Sequence, residues 1–120
     1  MNYASNPPEL KEALEDMFVS SEASNYQANE YANEIINKSK YIISNIYNKK
    51  IESNPNITKE ESIIISSYTC ELNKSNFNPY RLLNQNLNVI EKRSLNKIAK
   101  YLYILLNALR KLKRYYPKEK

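Results

Sequence analysis

At 120 residues the chain is long enough for one domain with its own core and too short for two ordinary ones. Its 42% apolar and 26% charged content, with a net charge of +5, marks a folded globular protein rather than a disordered segment. Histidine and glycine are both absent, which removes the usual neutral-pH base, the commonest transition-metal ligand and any glycine-rich phosphate loop.

Pro7-Pro8 ends anything helical before it, and Pro8 suits the first turn of a helix running to about Val19. Leu10, Leu14, Met17 and Phe18 fall on one face, and Glu9, Glu12, Glu15 and Asp16 decorate the rest, mostly near its positive end. Ser20-Ser21 is the joint. A longer helix follows from about Ser24 to Ile51. Its stripe is Ala28, Ala32, Ile35, Ser39, Ile42 and Ile46, widened by Tyr31, Ile36, Ile43 and Tyr47, a width suited to more than one neighbour. Ser53-Asn54-Pro55-Asn56 then reads as a turn.

Thr58-Lys59-Glu60-Glu61 spells a capping box, in which Thr58 and Glu61 satisfy each other's backbone N–H groups. The isoleucine run after it is therefore a helix, not a strand, ending near Cys70 or Leu72. Asn78-Pro79 is a second start signal, with Asn as N-cap and Tyr80, Leu83, Asn84 and Leu87 sharing a face. The last helix runs from about Ser94 to Tyr115 with Leu95, Ile98, Leu102, Leu105, Leu106, Leu109 and Leu112 in threes and fours, and Pro117 closes it.

The pattern predicts an all-α fold: one domain, residues 1–120, of five helices with a frayed basic tail at 118–120. The missing glycine supports this, because tight β-hairpins need positive-φ positions that here must fall to Asn or Asp. The coding bias towards Asn, Lys, Ile and Tyr leaves most asparagines without a physical message. The single cysteine, Cys70, has no disulfide partner and no histidine to activate it, so it is assigned a structural role. No basic-then-apolar leader opens the chain and no apolar run reaches the roughly 18–20 residues of a span, which predicts a soluble, intracellular protein. The capping box accounts for Glu60-Glu61, and the remaining spacings assemble no catalytic constellation and no metal site.

Charge is segregated. Residues 1–34 carry seven acids and one base, whereas residues 91–120 carry ten bases and two acids. Arg110, Lys111, Lys113 and Arg114 sit in the last turns of the last helix, where cations offset its negative end. Two readings stand. One is a patch for nucleic acid or an acidic protein partner, with Tyr101, Tyr103, Tyr115 and Tyr116 available for stacking. The other, which the interleaving of these tyrosines with leucines favours, is a solvated helix end facing the acidic first helix, with core tyrosines. Wide stripes on the second and fifth helices also allow a homo-oligomer.

Between these helices lies Tyr68-Thr69, a loop, then Tyr80, Leu83-Asn84 and Leu87, followed by Ala108-Leu109 leading to Tyr115-Tyr116-Pro117. The order resembles the helical part that precedes the core of mono-ADP-ribosyltransferases, the arginine-type and related bacterial toxin and phage enzymes. The resemblance covers roughly residues 57–117. It implies a helical lobe beside an NAD-binding β-sandwich, with Tyr68, Tyr80 and Asn84 facing the cofactor, a tyrosine walling the nicotinamide and an amide bonding the dinucleotide. The alternative for these three is half-buried packing tyrosines and an ordinary asparagine. Asn88 stands where the family has arginine, and the loop from Thr69 to Tyr80 is longer than usual. The family's Arg-Gly strand, Ser-Thr-Ser and Glu-x-Glu do not occur. The resemblance therefore implies a chain inactive alone, with a transferase core or target protein as partner.

Overall fold

The computed structural model describes residues 5–48, 57–72, 77–87 and 92–113. They form α1 (Leu10–Ser20), α2 (Asn25–Asn48), α3 (Lys59–Tyr68), α4 (Pro79–Leu87) and α5 (Lys92–Lys113), with no strand among the described residues. The all-α, five-helix expectation is the observed architecture.

Helix α1 buries Leu14, Met17 and Phe18 of the expected face together with Ala13, while Leu10 packs partly buried at its edge. Its exit is a Schellman motif. The Ala23 N–H donates to the Phe18 carbonyl (3.0 Å) and the Glu22 N–H to the Val19 carbonyl (3.0 Å), with Glu22 at φ 78°. Asn or Asp was the expected occupant of a positive-φ position; a glutamate holds this one. The apolar partners of the motif, Phe18 and Ala23, are both buried, and that contact favours the turn despite the Cβ penalty at Glu22.

A capping box opens α2: the Gln27 N–H donates to Ser24 Oγ (3.1 Å) and the Ser24 N–H to Gln27 Oε1 (3.0 Å). The helix buries Ala28, Ala32, Ile35, Ser39 and Ile43, while Ile42, expected in the stripe, is exposed. After Ser39 the core-facing line advances by four, so the turn that would bury Ile42 buries its neighbour. Tyr47 and Ile46 have no described side chain, and Ile51 lies outside the described residues.

The Thr58–Glu61 capping box forms as read: the Glu61 N–H donates to Thr58 Oγ1 (3.1 Å) and the Thr58 N–H to Glu61 Oε1 (2.9 Å). Helix α3 ends at Tyr68, short of the expected Cys70 or Leu72, and Thr69 caps it. At α4 the Leu82 N–H donates to the Asn78 carbonyl, as an N-cap requires. The Asn78 side chain does something else: its Oδ1 accepts from the Leu72 N–H (2.8 Å) and closes the loop from α3. Phe77 reinforces that closure by stacking on Tyr31 (5.3 Å) and meeting Phe18 edge-on (5.9 Å).

Helices α1 and α3 each pack against both long helices, and α4 packs on α5 and α3. At the centre lie Leu14, Met17, Phe18, Ile35, Ile98 and Tyr101, all nearly inaccessible. Burying each large apolar side chain contributes about 1.5–3 kcal/mol. The core line of α5 is Ile98, Tyr101, Ile104, Leu105 and Ala108. It is rotated from the expected leucine stripe, leaving Leu95 and Leu106 exposed. Residues 114–120, including Tyr115, Tyr116 and the expected frayed tail, lie outside the described residues.

Candidate functional site

The end of α3 divides two environments. Ser67 points into the core and Tyr68, the next residue, lies half-buried at its edge. Ser67 Oγ is 2.6 Å from the Ile64 carbonyl, which can only accept, so the serine proton is committed there. The Tyr101 hydroxyl, 2.8 Å away, is therefore the donor to Ser67. Burial pushes the Tyr101 phenol far above the ordinary tyrosine range, and the Ser67 bond only partly offsets this. Tyr101 is thus a core residue, which corrects its candidacy for stacking. Tyr103 is half-buried against the same core.

Tyr68 at the end of α3 meets Tyr80 and Asn84, one turn apart on α4. The tyrosine rings are 5.2 Å apart at a 50° tilt. Asn84 Nδ2 donates to the Tyr80 carbonyl (2.7 Å) and lies 3.4 Å from the Tyr68 hydroxyl. Both amide protons are thereby directed inside the protein, leaving the Asn84 carbonyl oxygen as its acceptor for anything outside. The expected face of Tyr80, Leu83, Asn84 and Leu87 is not a single environment. Leu83 is buried with Pro79 and Leu82, whereas Tyr80 is 55% exposed and Leu87 is also exposed.

A groove of about 620 Å³ opens beside the cluster. Helix α4 supplies Tyr80, Arg81, Asn84 and Gln85, and the α3–α4 connection supplies Thr69, Glu71 and Asn78. Tyr68 does not line the groove; it supports Tyr80 and Asn84. Arg81, Gln85 and Glu71 were missed in the sequence. The signal for the first two was present: positions 80, 81, 84 and 85 form one polar face of a short helix. Amides, a hydroxyl, a guanidinium and a carboxylate beside an exposed aromatic ring suit binding a polar, ring-bearing molecule.

A second, more apolar groove of about 530 Å³ adjoins the first, sharing Thr69 and Glu71 and adding Tyr41, Ile42 and Cys70. Cys70 is buried, with Sγ 4.0 Å from the Ile35 carbonyl. Burial pushes its thiol up despite nearby Lys38, which keeps it protonated and fits the structural role.

Of the four basic residues singled out, two have described side chains. Arg110 is exposed, Lys111 pairs with Glu61 of the α3 capping box, and the Lys113 side chain and Arg114 lie outside the described residues. Burial raises the Glu61 carboxyl, but the Lys111 ammonium and the Thr58 cap together outweigh it and hold the group below its ordinary value. Lys100 meets Glu12 of α1 at 3.0 Å, so the acidic first helix and basic last helix do pair.

Among the described residues no cluster of three or more His, Cys, Asp or Glu is arranged to hold a metal ion, and no helix is long and apolar enough to cross a membrane. Compared with protein-family models, curated proteins and solved structures, the chain gives no match.

Proposed function

We propose that the chain is a helical binding module whose α3–α4 groove receives an NAD-class dinucleotide, as one wall of a cleft completed by an ADP-ribosyltransferase-like core. What supports this reading is convergence: of the three residues the resemblance points to, Tyr80 and Asn84 line one groove and Tyr68 packs beside them. The volume lies within the roughly 300–1,000 Å³ of small-molecule sites.

The residues present fit the group. The exposed Tyr80 ring offers a face to a nicotinamide or adenine. Glu71 can accept from ribose hydroxyls, the Asn84 carbonyl and Gln85 amide can bond a carboxamide, and Arg81 suits a diphosphate. The sequence holds no Arg-Gly, Ser-Thr-Ser or Glu-x-Glu, so this chain binds and positions, and the transfer of ADP-ribose belongs to the core it accompanies.

Isothermal titration with NAD, with and without a transferase core, tests the reading. Heat of binding that Tyr80→Ala abolishes is expected, together with restored transferase activity when chain and core are mixed. No NAD binding in either setting, or binding unaltered by Tyr80→Ala, overturns it.

A further inference from the structure

The second groove repeats the build of the first. On α2 its wall is Asn37, Lys38, Tyr41 and Ile42, two pairs one turn apart that share a helix face. On α4 the wall of the first groove is Tyr80, Arg81, Asn84 and Gln85, with the same spacing. Each wall carries a tyrosine, a cation and at least one amide, and Tyr41, at 73% exposed, is open to solvent as Tyr80 is. The two grooves meet at Thr69 and Glu71, which line both. Lys38 fixes that junction: its Nζ donates to the Glu71 carbonyl (3.1 Å) and pairs with Glu34 (3.7 Å).

The grooves differ where the two ends of a dinucleotide differ. Nicotinamide carries a carboxamide, which suits the amides of Asn84 and Gln85 in the first groove. Adenine has no such arm; it needs an aromatic or apolar face and a partner for its amine and ring-nitrogen edge. The second groove holds both. Tyr41, Ile42 and Cys70 supply apolar wall, and Asn37 carries the side-chain amide that matches the N6–N7 edge of adenine. Its cation, Lys38, is held by Glu34 and the Glu71 carbonyl, so the groove suits an uncharged ring rather than a phosphate. Thr69 and Glu71 can meet ribose hydroxyls at the junction, and Arg81 in the first groove suits the diphosphate. We propose that the groove between α2 and the α3–α4 connection is the adenine subsite of a dinucleotide whose nicotinamide end lies against Tyr80, the ligand crossing between the grooves over Thr69 and Glu71. This assignment rests on the reading of the α3–α4 groove as an NAD site.

The test is amide NMR of the isotope-labelled full chain, alone and mixed with an unlabelled transferase core, with AMP and nicotinamide mononucleotide as separate probes. AMP is expected to shift Asn37, Tyr41 and Ile42, and nicotinamide mononucleotide to shift Tyr80 to Gln85. Tyr41→Ala should raise the Kd of AMP and of NAD at least about fivefold and leave that of nicotinamide mononucleotide unchanged. Helicity by circular dichroism should not change, because Tyr41 is exposed. The assignment is overturned, with the reading of the first groove left standing, if NAD shifts Tyr80 to Gln85 while AMP shifts those same residues. Unaltered affinity of the Tyr41→Ala chain for AMP and NAD overturns it in the same way. Shifts at Tyr41 with N-acetyltyrosinamide but none with AMP would give the groove to a side chain of another protein and also overturn it. A chain that NAD leaves unmoved in both settings overturns the reading and the assignment together.

Discussion

Ser67 and Tyr68 are neighbours in the chain, and the two hydrogen-bonded clusters they anchor are opposites. Ser67 and Tyr101 form a closed, fully buried pair between α3 and α5, with the tyrosine hydroxyl donating and the serine passing its own proton to Ile64. Tyr68, Tyr80 and Asn84 form an open cluster at a groove, with one ring largely in solvent. A tyrosine hydroxyl takes part in both. Burial decides that one cluster specifies the core and the other presents a surface, because a desolvated hydroxyl must be satisfied internally while an exposed one can change partners.

The contrast breaks most clearly through truncation. Tyr101→Ala should cost about 3–5 kcal/mol in urea unfolding, whereas Tyr80→Ala should stay within about 0.5 kcal/mol. Comparable losses at both sites would erase the distinction.

Alkaline pH tests the same pair more gently. The folded Tyr101 holds its proton above the ordinary value of 10.0, so its contribution is fully present below pH 10 and is lost as pH rises beyond it. Tyr101→Phe should cost about 1 kcal/mol at neutral pH and flatten that alkaline decline; a decline of the same steepness in the variant would place its source elsewhere.

The other end of α3 offers a contrast at acid pH. Thr58→Ala should cost about 1 kcal/mol by removing the cap. Glu61 is held below its ordinary value of 4.5, so its contribution is complete above that pH and disappears as pH falls through the lowered value. Glu61→Gln should remove that part of the acid dependence, read from thermal melts between neutral and acid pH.

The smallest expected effect lies at the α1–α2 joint. Glu22→Gly should raise stability by about 0.5–1 kcal/mol, since relief of the left-handed conformation exceeds the added freedom of the unfolded chain. Destabilisation there would mean that the glutamate side chain contributes more than its backbone costs.

Legibility in the sequence followed the locality of each signal. The five helices and the Thr58–Glu61 box were readable because periodicity and capping act within one or two turns. The Ser24–Gln27 box was equally local and was passed over, the helix being placed by its stripe alone. Which residue of a wide stripe is buried was not readable. Ile43 rather than Ile42, and Tyr101 rather than the leucines around it, are chosen by which neighbour packs on the helix. Asn78 announced a helix start correctly, but its side chain bonds Leu72, a choice fixed by loop closure rather than by α4. At the groove, Tyr80 and Asn84 were brought forward only by the resemblance, while Glu71 enters because that loop closes.

The proposed dinucleotide site is the open cluster, not the closed one. Two-dimensional amide NMR of the full chain titrated with NAD addresses it most directly. The expected shifts are concentrated at Thr69, Glu71, Asn78 and the exposed face of α4 from Tyr80 to Gln85, with Ser67 and Tyr101 unmoved. Shifts confined to α5, or a spectrum that NAD leaves unchanged both for the chain alone and beside a transferase core, would exclude it.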